Sequence, residues 1–413
     1  MSQPAEISRR QFTRTATIAV GGAITSCVAV SDAQTTRPPA GLAQVEPAQL
    51  RIDPRRLGVA YDLMERWTSG PNAPVPGGAI LVGRAGRVLV PRFFGRQGPE
   101  ADAEPIRRDA MFYMASVTKP VICMAAMLLV ERGQLNLNDP VRRYIPEFAG
   151  QGKESVQVLH LFTHTSGLPD ELRNNAELRG QLAPLSRFIE GAIRADLLFR
   201  PGTRQSYASC GTLVVAEIIQ RLSRRSIREF VRREIVEPLR LRSTGLGSQG
   251  FARERLVRTT LPEYQRRIEG HWNSRYWQEF GSPAGGLFST PEDFAVICAL
   301  MLNAGRWGDV QLVSPATVRL MTSNRLNDLP DLPEPVRRTQ PWGLGWRLNH
   351  LGTRDSWSDL LDRNVFGHPG STGNVVWMDP RTQGFCIVFT NYLRARAPWR
   401  LVHLSNVIAA AFL

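Results

Sequence analysis

Ser116 and Lys119 are separated by Val117 and Thr118, directly ahead of Pro120 and the apolar run 121–130. On a helix, residues three apart share one side, so this spacing carries the Lys119 amine to the Ser116 hydroxyl. A serine hydroxyl is a weak nucleophile until a neighbouring base takes its proton, and a lysine serves as that base once burial and the positive end of a helix dipole disfavour its ammonium form. The pair points to acyl transfer, with Ser116 attacking a carbonyl and Lys119 accepting the proton. At a helix start the Ser116 N–H has no partner inside the helix, which makes it available as half of an oxyanion hole. Pro120 removes a backbone donor at this point and keeps the first turn irregular.

Lysine occurs only at 119 and 153, so nearly all of the 51 basic residues are arginine. The run after Lys119 is apolar on every side and predicts a buried helix, into which a lysine carries a large desolvation cost unless it has work to do. The competing reading is a serine beside a lysine that snorkels to the surface. His164 precedes Thr165-Ser166-Gly167 in a turn and is read as structural. His160, His271, His350 and His403 are too dispersed for a metal site, and no Gly-x-Ser-x-Gly elbow is present. The chemistry calls for no cofactor and no metal.

The elements around these residues divide unevenly along the chain. A helical pattern over 55–67 leads to Pro76-Gly77-Gly78 and a hairpin over 79–90 broken at Arg84-Ala85-Gly86. Near the C-terminus, strand-like runs at 374–378 and 385–391 flank Asp379-Pro380, and a helix-compatible tail spans 401–413. Between them lie helical patterns over 118–132, 213–222, 227–239 and 291–303. This distribution predicts an α/β (α+β) fold: an antiparallel sheet built from both chain ends and flanked by helices, with a mostly helical subdomain inserted.

Ser116-Val117-Thr118-Lys119 resembles the first motif of the superfamily of class C β-lactamases, D-alanyl-D-alanine carboxypeptidases and family VIII esterases. Leu161-Phe162-Thr163-His164-Thr165-Ser166-Gly167-Leu168 is similar to its LLTHTSGL segment, and Ala284-Gly285-Gly286-Leu287-Phe288-Ser289-Thr290 with Asp293 to its AGGL-ST-x-x-D segment. Trp342-Gly343-Leu344-Gly345-Trp346 is similar to its YGLGW strand, and the Pro-rich stretch 329–341 before it would form a rim. The resemblance covers most of the chain after residue 52. It implies the β-lactamase/transpeptidase-like fold and a serine hydrolase working through an acyl-enzyme on Ser116.

The family's second motif, Tyr-x-Asn, falls on Tyr207-Ala208-Ser209. The resemblance implies a catalytic Tyr207 beside Lys119 and a substrate-binding Ser209, but a hydroxyl reaches less far than the amide usually found there. Gly367-His368-Pro369-Gly370-Ser371-Thr372-Gly373 is similar to the histidine version of the third motif. By resemblance, Gly370 lets substrate approach the strand, the Ser371 N–H completes the oxyanion hole with that of Ser116, and His368 faces the pocket as a hydrogen-bond partner. A histidine near its reference pKa of about 6.5 is largely neutral at pH 7 and attracts a carboxylate less than lysine does. Both departures place esters first among small-molecule ester, amide or peptide substrates, ahead of D-Ala peptides and β-lactams. The rivals are a slowly deacylating penicillin-binding or wall-binding sensor, a true β-lactamase, and a scaffold without chemistry.

Residues 1–33 read as an export signal, with Ser8-Arg9-Arg10-Gln11-Phe12 resembling the twin-arginine type ahead of a mild apolar run over 16–30. Ser31-Asp32-Ala33 offers a cleavage site, while Ile24-Thr25-Ser26-Cys27 resembles a lipobox that would anchor the protein through Cys27. Residues 34–52 read as a flexible tether and 53–413 as the hydrolase domain. Cys123, Cys210, Cys298 and Cys386 are far apart and read as buried free thiols. The net charge of +14 favours a cell-wall polymer or an anionic membrane surface, and the scattered arginine pairs argue against nucleic acid.

Overall fold

A computed structural model describes residues 41–70, 73–350 and 357–413. The export signal, Cys27 and the first part of the tether lie outside the described residues. The described residues open with β1 (Ala43–Gln44), β2 (Gly77–Arg84), β3 (Arg87–Val88) and β4 (Arg92–Gly95). A small sheet follows from β5 (Phe112–Tyr113), β6 (Thr244–Leu246) and β7 (Leu287–Ser289), in the order β5-β7-β6, and β8 (Arg306–Trp307) pairs with β9 (Val310–Gln311). The chain then supplies β10 (Arg347–Leu348), β11 (Phe366–Gly370), β12 (Asn374–Asp379) and β13 (Gly384–Thr390). The large sheet runs β1-β3-β2-β13-β12-β11-β10, with β4 also on β2. Its two halves join where β2 meets β13 antiparallel, from Gly78↔Thr390 to Arg84↔Gly384. Only the short β1–β3 pair is parallel, which makes the sheet mixed rather than purely antiparallel.

Successive strand residues point to opposite faces. Ile80, Val82, Val375, Trp377, Cys386 and Val388 turn to a layer formed by α1 (Pro54–Thr68) and the C-terminal helix Trp399–Ala411. Leu81, Val376, Met378, Phe385, Ile387 and Phe389 turn to the helical body. With both faces covered, these strands read as continuous apolar runs. Asp53 starts α1 by accepting from the N–H groups of Arg55 and Arg56, with Pro54 at the first helical position. The buried side of α1 is Leu57, Ala60, Met64 and Thr68, the spacing of one helix face.

On the other side of the sheet, α2 (Thr118–Glu131) is buried continuously from Thr118 to Leu129, as its apolar run predicts. Helix Pro291–Leu302 also belongs to this core, starting at Thr290, whose side chain accepts from Asp293 N. Cys123, Cys210, Cys298 and Cys386 are free and buried.

Two expectations are corrected. The ordered fold begins before residue 53: β1 pairs with β3, and Leu50 and Ile52 are buried against the α1 layer. Those two apolar side chains in a polar, Pro-rich run find the sheet edge and the terminal helix, so 41–52 is no tether. The Trp342-Gly343-Leu344-Gly345-Trp346 segment is a turn closed by an isolated bridge between Trp342 and Arg347, and the strand starts only at Arg347. Gly345, at φ +80°, lets this turn pack against α2: an added Cβ would stand 2.7 Å from the Cβ of Cys123.

Candidate active site

The turn that carries Ser116 is held from two directions. Met114 N–H donates to Leu287 O (2.9 Å) and Leu287 N–H to Thr118 Oγ1 (3.0 Å), so the Ala284–Leu287 segment is tied to both ends of the turn. The Tyr113 carbonyl accepts from Thr372 Oγ1 (3.0 Å) and Asn374 Nδ2 (2.9 Å), which draws the β11–β12 turn against the same place. Gly370 allows that approach, because a Cβ there would lie 2.7 Å from Met114 O. Ala115 takes the left-handed conformation, φ +47°, and a 3-10 turn over Ala115–Val117 then leads into α2. A non-glycine residue held there is strained, as at sites where the fold fixes one side chain.

That side chain is Ser116. Lys119 Nζ donates to Ala284 O at 2.7 Å and reaches Ser116 Oγ at 3.4 Å. Lys119 is 2% exposed, and its amine lies 4.8 Å from the centroid of the Tyr207 ring. The amine is thus held between the Ala284 carbonyl, the Tyr207 ring and the Ser116 hydroxyl.

Tyr207 is framed by His164 on both sides in sequence. Ser206 N–H donates to His164 O (2.8 Å), Ala208 N–H donates to His164 Nδ1 (3.1 Å), and the two rings lie 4.5 Å apart. Burial, and then the Lys119 charge, push the His164 imidazole down to about 3, so it is neutral and works as an acceptor. His164 is thus a positioning residue, with φ +58° setting its turn. The Tyr207 hydroxyl is buried and meets no protein partner among the described residues.

His368 sits on β11, beyond the part paired with β10, which covers only Phe366 and Gly367. Its Nδ1 contacts the Pro369 carbonyl at 2.7 Å, and because a carbonyl only accepts, Nδ1 carries the proton. Nε2 is then a lone pair, buried and without a protein partner among the described residues. Burial first, then the Lys119 charge, hold His368 well below the ordinary histidine range, so the strand presents a neutral acceptor and not a cation. Trp342 stands edge-on to the rings of His164 (4.7 Å) and His368 (5.8 Å) and closes this corner.

Ser209 opens helix Ser209–Ser223. Both its N–H (2.9 Å) and its hydroxyl (2.7 Å) donate to Asp170 Oδ1, so the only side-chain proton at this position is committed to a carboxylate. Ser371 follows β11 in an exposed turn, where its carbonyl accepts from Arg394 N–H (2.9 Å). Ser116, Lys119, Tyr207, Ser209, His368 and Ser371 all line one cavity of about 570 Å³, and Gly370 borders it too. Asp170, Ala284 and Trp342 were not legible as site residues. The AGGL resemblance marked a segment without giving its task, and nothing local to Asp170 reveals that it caps a helix 39 residues on.

The beta-lactamase family profile matches residues 64–404, so the chain belongs to that family. It is 26% identical over 363 residues to an Escherichia coli O157:H7 protein named "Putative D-alanyl-D-alanine carboxypeptidase", an overlap of 79% of this chain and 81% of the relative. In structure it is similar to a penicillin-binding protein homologue from Caulobacter crescentus, with a TM-score of 0.70 and 22% identity over 87% of this chain and 98% of that one. It is also similar to EstCE1, described as a hydrolase with promiscuous acyltransferase activity, with a TM-score of 0.66 and 19% identity over 87% and 97% of the two chains. The protein is a serine hydrolase of the beta-lactamase family, acting on a small-molecule or peptide substrate. No helix among the described residues is long and apolar enough to cross a membrane.

Proposed function

We propose that the protein is an esterase-type hydrolase in which Ser116 is acylated and water releases the product. The observation that carries this reading is the amine of Lys119, a residue 2% exposed, at 3.4 Å from the Ser116 hydroxyl. Lys119 takes the Ser116 proton as Oγ attacks the carbonyl carbon. The N–H groups of Ser116 and Ser371 receive the oxyanion, with Gly370 keeping the strand close enough for the second. Tyr207, whose hydroxyl has no protein partner among the described residues, hands a proton to the leaving oxygen and takes one from the water that attacks the acyl-enzyme, and Lys119 returns its proton to Ser116 Oγ as the acyl bond breaks.

Esters come first because the two groups that would read an amide-bearing substrate are altered. Ser209 spends its proton on Asp170 and has none for a substrate carbonyl, and His368 is a neutral acceptor where a lysine would attract a carboxylate. The test is a panel of p-nitrophenyl butyrate, a D-Ala-D-Ala peptide and nitrocefin, assayed on wild type and Ser116→Ala. The expected result is steady turnover of the ester with the highest kcat/KM, falling on the order of a thousandfold or more in Ser116→Ala. Faster cleavage of nitrocefin or the peptide overturns the substrate order, and a burst of product without steady state overturns turnover itself.

We also propose export through the leader at 1–33, with the basic exterior, net charge +14, favouring a cell-wall or anionic membrane surface. Cell fractionation of the full chain and of an Arg9→Lys, Arg10→Lys variant tests it, with retention of the variant in the cytoplasm expected.

A further inference from the structure

The cavity has a second wall that the acyl-transfer chemistry leaves unused. Arg179 is 2% exposed and yet lines the cavity. Its Nε donates to Gly270 O (2.9 Å), and its Nη2 donates to Gly270 O (2.6 Å) and Gln265 Oε1 (3.0 Å). Nη1 donates to no protein atom among the described residues, and it is not one of the polar atoms sealed from solvent. No carboxylate among the described residues stands within ion-pair distance of this guanidinium. A buried cation without a counter-ion is costly, and an anion arriving in the cavity relieves that cost.

An apolar surface connects Arg179 to the nucleophile. The guanidinium lies 4.1 Å from the centroid of the Trp277 ring, and Trp277 stacks on Phe280 at 5.0 Å. Trp277 Nε1 donates to Tyr113 Oη at 2.9 Å. Tyr113 stands three residues before Ser116, and its Oη lies 3.5 Å from where a Cβ on Gly285 would be, beside the Ala284 carbonyl that holds Lys119. Glu171 works against an anion here: Asn175 Nδ2 donates to it at 3.1 Å, and its charge reaches Arg179 without pairing with it.

We propose that Arg179 and the Trp277–Phe280 surface form an acyl subsite for a carboxylate-terminated chain. The apolar body of the acyl group lies along the aromatic rings, and its distal carboxylate accepts from Arg179 Nη1. The subsite rests on the acyl-transfer reading, since it names the acyl group that Ser116 receives.

The test compares p-nitrophenyl monoesters of straight-chain dicarboxylic acids of increasing length with neutral p-nitrophenyl esters of the same lengths. In wild type the ratio of kcat/KM, anionic over neutral, is expected to peak at one chain length at a value on the order of tenfold. Each ratio is internal to one enzyme, so a partly unfolded variant still reports it. Arg179→Gln is expected to bring the peak ratio to about one, and Glu171→Gln to raise it about threefold by removing the opposing charge. Neutral esters turned over with no anionic preference at any length overturn the subsite and leave the hydrolase reading intact. Failure to turn over any ester overturns the hydrolase reading instead. The subsite is then decided by calorimetric titration with the monomethyl ester of the same diacid, where no tighter binding to wild type than to Arg179→Gln overturns it.

Discussion

The two lysines of this chain sit in regions that resemble each other closely. Lys119 is 2% exposed and Lys153 4%. Each donates to a backbone carbonyl, Ala284 O at 2.7 Å and Ile193 O at 2.8 Å. Each lies over an aromatic ring, at 4.8 Å from Tyr207 and 5.4 Å from Phe148. The differences are that Lys119 also reaches a serine hydroxyl and that it borders the cavity, which Lys153 does not. Burial therefore does not mark a lysine as catalytic. Burial lowers the Lys153 pKa, against the pull of Asp196 and Glu154, yet its amine bonds to a carbonyl and to no hydroxyl among the described residues. What separates the two regions is a serine hydroxyl on a strained turn and an open volume in front of it.

The sharpest way to break this comparison is to truncate both amines. Lys119→Ala is expected to lower kcat/KM for p-nitrophenyl butyrate on the order of a thousandfold, while Lys153→Ala leaves it within about twofold. Lys153→Ala strands the Ile193 carbonyl and is expected to cost about 1–3 kcal/mol of stability in urea unfolding. Equal losses of activity would mean that burial, and not the serine contact, is what the two sites share.

A smaller effect is expected at His164, which frames Tyr207 without touching substrate. His164→Leu removes the acceptor for Ala208 N–H and places a bulky residue at φ +58°, and kcat is expected to fall about tenfold with little change in KM. His164→Asn keeps an acceptor and tolerates that conformation, so it should retain most of kcat. If the two variants behave alike, Tyr207 is held by something else.

The smallest effect concerns stability against pH. Burial depresses His164 from 6.5 to about 3 and His160 from 6.5 to about 4, so in acid the unfolded chain takes up protons that the folded one refuses. Stability is present above pH 6.5 and is lost progressively as pH falls through the window between 6.5 and about 4, where both groups contribute. Chemical denaturation at several pH values should show this slope, and His164→Asn should make it shallower.

Where one local rule is enough, the sequence is readable. The all-round apolar run after Pro120 becomes α2, the break at Arg84-Ala85-Gly86 becomes the β2–β3 turn, and the runs around Asp379-Pro380 become β12 and β13. Ser116, Lys119 and Tyr207 were legible as candidates that line one cavity, because a three-residue spacing and motif likeness are local. Asp170, Ala284, Trp342 and Arg179 were not, because each acts through a partner tens of residues away. The Trp342–Trp346 turn was misread for a related reason: its backbone is set by close packing of Gly345 on α2, which strand-like composition does not reveal.

Sequence alone determined that a serine and a lysine would share one side of a buried helix start, because helical spacing and an apolar run are properties of neighbouring residues. It also determined that both chain ends would meet in one sheet, since only strands of matching apolar pattern were on offer there. Tertiary structure decided that Ala284 aims the amine, that Asp170 accepts from the Ser209 hydroxyl and that Arg179 stands at the cavity with no counter-ion among the described residues. Hydrogen bonds and desolvation depend on what the fold brings within about 3 Å, and that distance is not written in the order of the residues.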